Sequence, residues 1–138
     1  MSERKPEAKK ILLVEDDDAL RKYIMTLLEL DGYDVVATRS AEDALVVFEK
    51  EKEKISLVFT DIDLPGKNGL YLIDNIRKIS PRTPLLAGSG VHSIRETVEE
   101  RGVLFIPKPY DNEILLGQIR HLHETNNSSC HGKQSPLD

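Results

Sequence analysis

Four short clusters of reactive side chains punctuate the chain: Glu15-Asp16-Asp17-Asp18, Asp61-Ile62-Asp63, Gly88-Ser89-Gly90 and Lys108-Pro109. Each follows a run of apolar residues, so each is a candidate strand end. Brought to one edge, Glu15, Asp16 and Asp61 would form an acidic cluster that needs a compensating positive charge to stay ionised. A hard divalent cation with oxygen ligands, Mg²⁺ above all, meets that need. Lys108 would supply further positive charge and Ser89 a hydroxyl donor. A carboxylate, a cation, a lysine and a hydroxyl around one small space suit in-line phosphoryl transfer, with Asp61 as nucleophile. The cation and Lys108 would neutralise charge on the equatorial oxygens while Ser89 positions one of them. Gly88 and Gly90 would keep bulk away from the entrance.

Such a site needs a scaffold that delivers distant residues to one edge. Ile11 to Val14 form a continuous apolar run, as in a strand buried on both faces. Leu20, Ile24, Leu27 and Leu28 follow at helical spacing, closed by Asp31-Gly32. Tyr33 to Thr38 reads as a second strand. Ser40 with Glu42 and Asp43 opens a helix whose apolar face is Ala41, Ala44, Leu45 and Phe48. Ile55 to Phe59 is a third strand ending at Asp61, followed by a helix carrying Leu70, Ile73, Ile76 and Ile79. Pro84 to Ala87, a weaker helix over Val91 to Arg101, Val103 to Ile106, and a helix with Ile114, Leu115, Ile119 and Leu122 inside complete the pattern. Five strands alternating with five helices predict an α/β fold with one parallel sheet covered on both faces. Active groups on such a sheet gather at the carboxyl ends of the strands.

The chain has 138 residues, room for one domain. Its 24 acidic against 19 basic residues, a net charge of −5, argue against a dedicated nucleic-acid binder. A single cysteine points to a reducing compartment, and no apolar run approaches the roughly 18–20 residues of a membrane span, so a cytoplasmic location is expected. Residues 1–9 read as an N-terminal extension, 10–123 as the domain and 124–138 as a flexible, aperiodic tail.

From Lys10 to about Leu122 the chain resembles the receiver domain of two-component response regulators, including receivers attached to hybrid histidine kinases. The resemblance is carried by ILLVEDD with Glu15 and Asp16, LVFTDIDLPGKNG with Asp61, Ser89 after the fourth strand, and Lys108 in FIPKPY. It implies a flavodoxin-like (βα)5 fold with strand order 2-1-3-4-5 and a cis Lys108–Pro109 bond. It implies Mg²⁺ held by Asp16, Asp61 and the backbone carbonyl of Asp63, with Glu15 acting through water. Asp61 would take a phosphoryl group from the phosphohistidine of a histidine kinase or histidine phosphotransfer protein. Ser89 and Phe105 would then switch the face shown to an unidentified downstream protein. Phe105 has no hydroxyl, so a switch ending in a tyrosine hydrogen bond is not available.

Other readings stand beside these. Asp17 and Asp18 read as helix-capping residues. Asp63 is expected to influence the lifetime of the acyl phosphate. His121, His123, Cys130 and His131 fit no compact zinc spacing. A D-x-D after a strand also occurs in haloacid-dehalogenase-type phosphatases, where the second Asp drives turnover; there the motif normally follows the first strand, here the third. The reading is therefore a phosphoacceptor signalling module rather than a turnover enzyme. A stand-alone protein with output by contact is expected, and a receiver fragment of a hybrid kinase or larger regulator is the alternative.

Overall fold

The computed structural model describes residues 9–131, and of residues 126–131 the backbone only. The first eight residues of the expected extension lie outside that range. The order of elements is β1 (Lys10–Val14), α1 (Asp18–Leu30), β2 (Asp34–Thr38), α2 (Ala41–Glu51), β3 (Ile55–Asp61), α3 (Gly69–Ile79), β4 (Leu85–Ser89), α4 (Arg95–Glu99), β5 (Leu104–Pro107) and α5 (Asn112–His131). All strand pairs are parallel, in the order β2-β1-β3-β4-β5. This is the expected fold and strand order.

The strand patterning sorts the core into two layers. Leu12, Val14, Val58, Leu85, Ala87 and Phe105 face α2, α3 and α4, while Ile11, Leu13, Leu57, Phe59, Leu86 and Ile106 face α1 and α5. Alternate residues of each strand point to opposite faces, so a strand covered on both sides reads as an unbroken apolar run. Ser40 caps α2 by accepting the Asp43 N–H at 3.0 Å, and Asp17 caps α1 by accepting that of Leu20 at 2.9 Å. Asp17 thus has the capping role expected of it, whereas Asp18, in the first turn, does not cap and pairs instead with Arg21 and Arg39.

Two helices differ from expectation, α4 in one respect and α5 in two. The weak fourth helix is a 3-10 turn at His92–Ile94 followed by only five α-helical residues, since its apolar face amounts to Ile94 and Val98. Ile114 is 55% exposed; α5 buries Leu115, Ile119 and His123, an i, i+4 stripe that the apolar residues alone do not reveal. α5 also continues through residues 124–131, expected as aperiodic tail. That stretch contains neither Gly nor Pro, and extending an established helix is far easier than starting one. Of the four residues weighed against zinc, His121 is exposed and His123 turns inward. The side chains of Cys130 and His131 lie outside the described residues.

Candidate phosphoacceptor site

Register assembles the site. Val14 pairs with Thr60 across β1 and β3, so Glu15 lies next to Asp61. Asp61 pairs with Gly88, and Ser89 with Pro107, which puts Ser89 and Lys108 on the two strands beyond. The turn after β3 is held by the Ile62 N–H donating to the Gly88 carbonyl and the Gly69 N–H donating to the Ile62 carbonyl, both at 2.9 Å. Gly69 makes that turn possible: a Cβ there would sit 2.5 Å from the Asp61 carbonyl oxygen and 2.7 Å from the Ile62 Cα. Those are backbone atoms with little freedom to yield. On the other flank, Arg21 donates to the Glu15 carbonyl at 3.0 Å and to Asp18 at 2.7 Å, tying the start of α1 to the end of β1.

Glu15, Asp16 and Asp61 each present a carboxylate oxygen within 4.8 Å of the other two. Glu15 is 2% and Asp61 3% exposed. Lys108 Nζ lies 3.1 Å from Asp61 Oδ2 and 3.3 Å from Glu15 Oε1. Burial pushes the Asp61 carboxyl above its ordinary range, outweighing the Asp63 N–H bonded to Oδ1 and the pull of Lys108. Burial raises Glu15 likewise, against the Asp17 N–H, with the charge of Asp61 adding to the rise. For Lys108, burial works to lower the ammonium, but the hydrogen bond and charge of Asp61 and the charge of Glu15 raise it overall. One lysine therefore leaves the cluster short of positive charge. Three close oxygen donors with a charge deficit are a set that fits a small, hard divalent cation.

A profile of response regulator receiver domains matches residues 11–120. The chain belongs to that family. It is 37% identical over 118 residues to the response regulator protein FleR of Pseudomonas aeruginosa, covering 83% of this chain and 24% of FleR. A receiver domain protein of Methanospirillum hungatei superposes with a TM-score of 0.79 at 28% identity, covering 87% of this chain and 97% of that one. The receiver domain of the hybrid histidine kinase CckA gives 0.72 at 32% identity, covering 83% and 98%. The chain spans about a quarter of FleR and 48% of the CpxR homolog of Haemophilus influenzae.

Within this receiver, the residues anticipated from the sequence are not all engaged in the same way. Glu15, Asp16, Asp61 and Lys108 converge. Ser89, fully buried, does not bond Asp61: its hydroxyl donates to Asp63 Oδ2 at 2.7 Å and accepts the Val91 N–H at 2.9 Å. Phe105 is 2% exposed and already packed inward, with the Arg95 guanidinium 5.4 Å above its ring. The Lys108–Pro109 bond is cis. Of the two glycines expected to keep bulk away from the entrance, Gly88 does not leave open space. The Tyr110 hydroxyl occupies the space a Cβ would need, whereas a Cβ on Gly90 would meet nothing within 4 Å among the described residues.

Tyr110 and Arg95 are residues that the sequence reading passed over. Tyr110 packs on Phe59 at 5.3 Å, and its phenol is raised by burial and by the charges of Asp61, Glu15 and Asp63. The available signal was the unusual smallness of Gly88 inside a strand, which marks a close approach by something else. An apolar cleft of about 390 Å³ opens beside the site, lined by Leu20, Tyr23 and Ile24 of α1 and by Pro109, Tyr110 and Leu115.

Proposed function

We propose that this chain accepts a phosphoryl group on Asp61 from the phosphohistidine of a histidine kinase or histidine phosphotransfer protein. The observation that supports this best is the position of Asp61, a buried carboxylate bonded to Lys108 and grouped with two further carboxylates. Receiver domains accept phosphoryl groups from histidine kinases and act on downstream effectors, and the family membership brings that reading to this chain. In the transfer, an Asp61 oxygen forms the new O–P bond as the N–P bond to the imidazole breaks. The electron pair returns to the ring nitrogen, which takes up a proton.

Lys108 stays beside Asp61 and stabilises the anionic phosphoryl oxygens as the group arrives on the acceptor. Asp16, Asp61 and the Asp63 carbonyl would hold Mg²⁺, with Glu15 acting through water; the ion, when bound, supplies charge neutralisation at the phosphoryl oxygens. A protein donor must come within bonding reach of Asp61, and the apolar cleft beside Lys108 offers its footing. Output follows through contacts of the β4–α4–β5 face, where Val91 is exposed and Arg95 covers Phe105.

The phosphatase reading gains no support from Asp63, whose carboxylate is occupied by the Ser89 hydroxyl. The direct test is incubation of the full chain with Mg²⁺ and phosphoramidate, read by intact mass and by hydroxylamine lability. One phosphoryl group on Asp61, absent from Asp61→Asn and without sustained phosphate release, is the expected result. Continuous turnover abolished by Asp63→Asn would overturn it.

A further inference from the structure

The Ser89 hydroxyl has one proton, and in this structure that proton is committed. It is donated to Asp63 Oδ2 at 2.7 Å, a well-formed O–H···O bond. Ser89 is fully buried, while Asp63 sits at the exposed rim. Ser89 Oγ also accepts the Val91 N–H at 2.9 Å, so one hydroxyl ties the β3–α3 turn to the start of the β4–α4 segment. The Asp63 N–H, meanwhile, holds Asp61 Oδ1 at 3.1 Å. Asp63 thus touches both the acceptor, through its backbone, and the hydroxyl, through its side chain.

We propose that the Asp63 carboxylate is a latch on Ser89: it holds the hydroxyl in the resting receiver, and a phosphoryl group on Asp61 recruits Ser89 only by breaking that bond. The inference rests on the reading of Asp61 as phosphoacceptor and names a positioning residue of that site. The energetics favour a latch that opens. A hydrogen bond to a charged acceptor is stronger than a neutral one, but the released carboxylate lies where water can solvate it. The buried hydroxyl has no such alternative, so it leaves Asp63 only for another acceptor. Movement of Ser89 also alters the support of the Val91 N–H, which links acceptor occupancy to the exposed start of the 3-10 turn.

The latch is separable from a plain charge effect. Removing Asp63 also takes a negative charge away from an anionic ligand, which would favour loading by itself. A double-mutant cycle isolates the part that passes through Ser89. In the unloaded full chain, the Ser89 χ1 populations from Hα–Hβ couplings should show one rotamer in the wild type and in Asp63→Asn, whose amide oxygen still accepts. Asp63→Ala should show mixed rotamers.

Beryllofluoride with Mg²⁺ should bind Asp63→Ala roughly tenfold more tightly than wild type. Against Ser89→Ala, the added Asp63→Ala change should give a much smaller gain. An unchanged Ser89 rotamer in Asp63→Ala, or an equal gain in the Ser89→Ala background, would overturn the latch. A wild type that binds no beryllofluoride would instead remove the phosphoacceptor reading, while the rotamer measurement still decides whether Asp63 holds Ser89.

Discussion

The two ends of the one sheet handle buried polar groups in opposite ways. At the amino-terminal end, His123 of α5 bonds Ser56 Oγ at 2.8 Å and stacks on Tyr33 at 5.3 Å, and Ser56 in turn donates to the Lys10 carbonyl at 3.0 Å. The ring is kept neutral there: burial and the charge of Lys9 push His123 down to about 4. The backbone of Ile119 pulls the other way, although among the described residues Nδ1 has no hydrogen-bond partner. At the carboxyl-terminal end, Glu15 and Asp61 are equally buried, carry pKa values pushed upward and share one lysine. The first end removes charge to suit burial. The second keeps charge that its own residues do not balance, and that imbalance favours an incoming cation and a phosphoryl group.

The sharpest way to break this contrast is to remove the lysine. Lys108→Met strips the acidic end of its one paired cation and leaves Glu15 and Asp61 facing each other. Phosphorylation of Asp61 by phosphoramidate should slow about 10²-fold, the scale for losing one preorganised donor at a site of charge development. The rate of mass gain at saturating Mg²⁺ checks it. An unchanged rate would mean that the lysine balances resting charge and has no part in transfer.

The opposite end is tested by pH. His123 titrates near 6.5 when unfolded and at about 4 in the fold, so the folded state binds its proton less readily. Its contribution is therefore fully present above pH 6.5 and is lost as pH falls toward 4, by about 3 kcal/mol in all. Urea titrations across that window should show wild-type stability falling relative to His123→Phe, which keeps an aromatic against Tyr33 and cannot be protonated. Parallel curves would show that the ring is not held neutral by the fold.

The same contrast explains what was legible in the sequence. Glu15, Asp16, Asp61 and Lys108 are charged residues immediately following apolar runs, and parallel strands deliver such positions to one edge. The partner of Ser89 was not legible, because the choice between Asp61 and Asp63 turns on a side-chain rotamer two residues apart along the same turn. Phe105 is read from the sequence as a fifth-strand residue with a switch role; its burial in the core and its cover by Arg95 depend on how the short α4 lies across the strand. His123 shows no apolar signature, and its burial follows only from the i, i+4 stripe with Leu115 and Ile119. The continuation of α5 beyond residue 123 was hidden by Asn and Ser, which weaken a helix without ending it.

The smallest expected effect concerns the resting cost of the acidic end. Asp61 is more readily protonated in the fold than unfolded, so its contribution to stability is present at low pH and is lost as pH rises through the folded value. At neutral pH in chelator, the ionised carboxylate therefore works against the fold. Asp61→Asn keeps an oxygen that can accept the Asp63 N–H and removes the charge, although Lys108 then pairs with Glu15 alone. The balance should favour the variant by about 1 kcal/mol, or roughly 4 °C in Tm. Adding Mg²⁺ should reverse the order by raising the wild type more than the variant, since the variant has lost a ligand charge. A wild type already more stable than Asp61→Asn in chelator would show that Lys108 alone satisfies the cluster, and the two ends would then differ in whether they carry charge but not in strain.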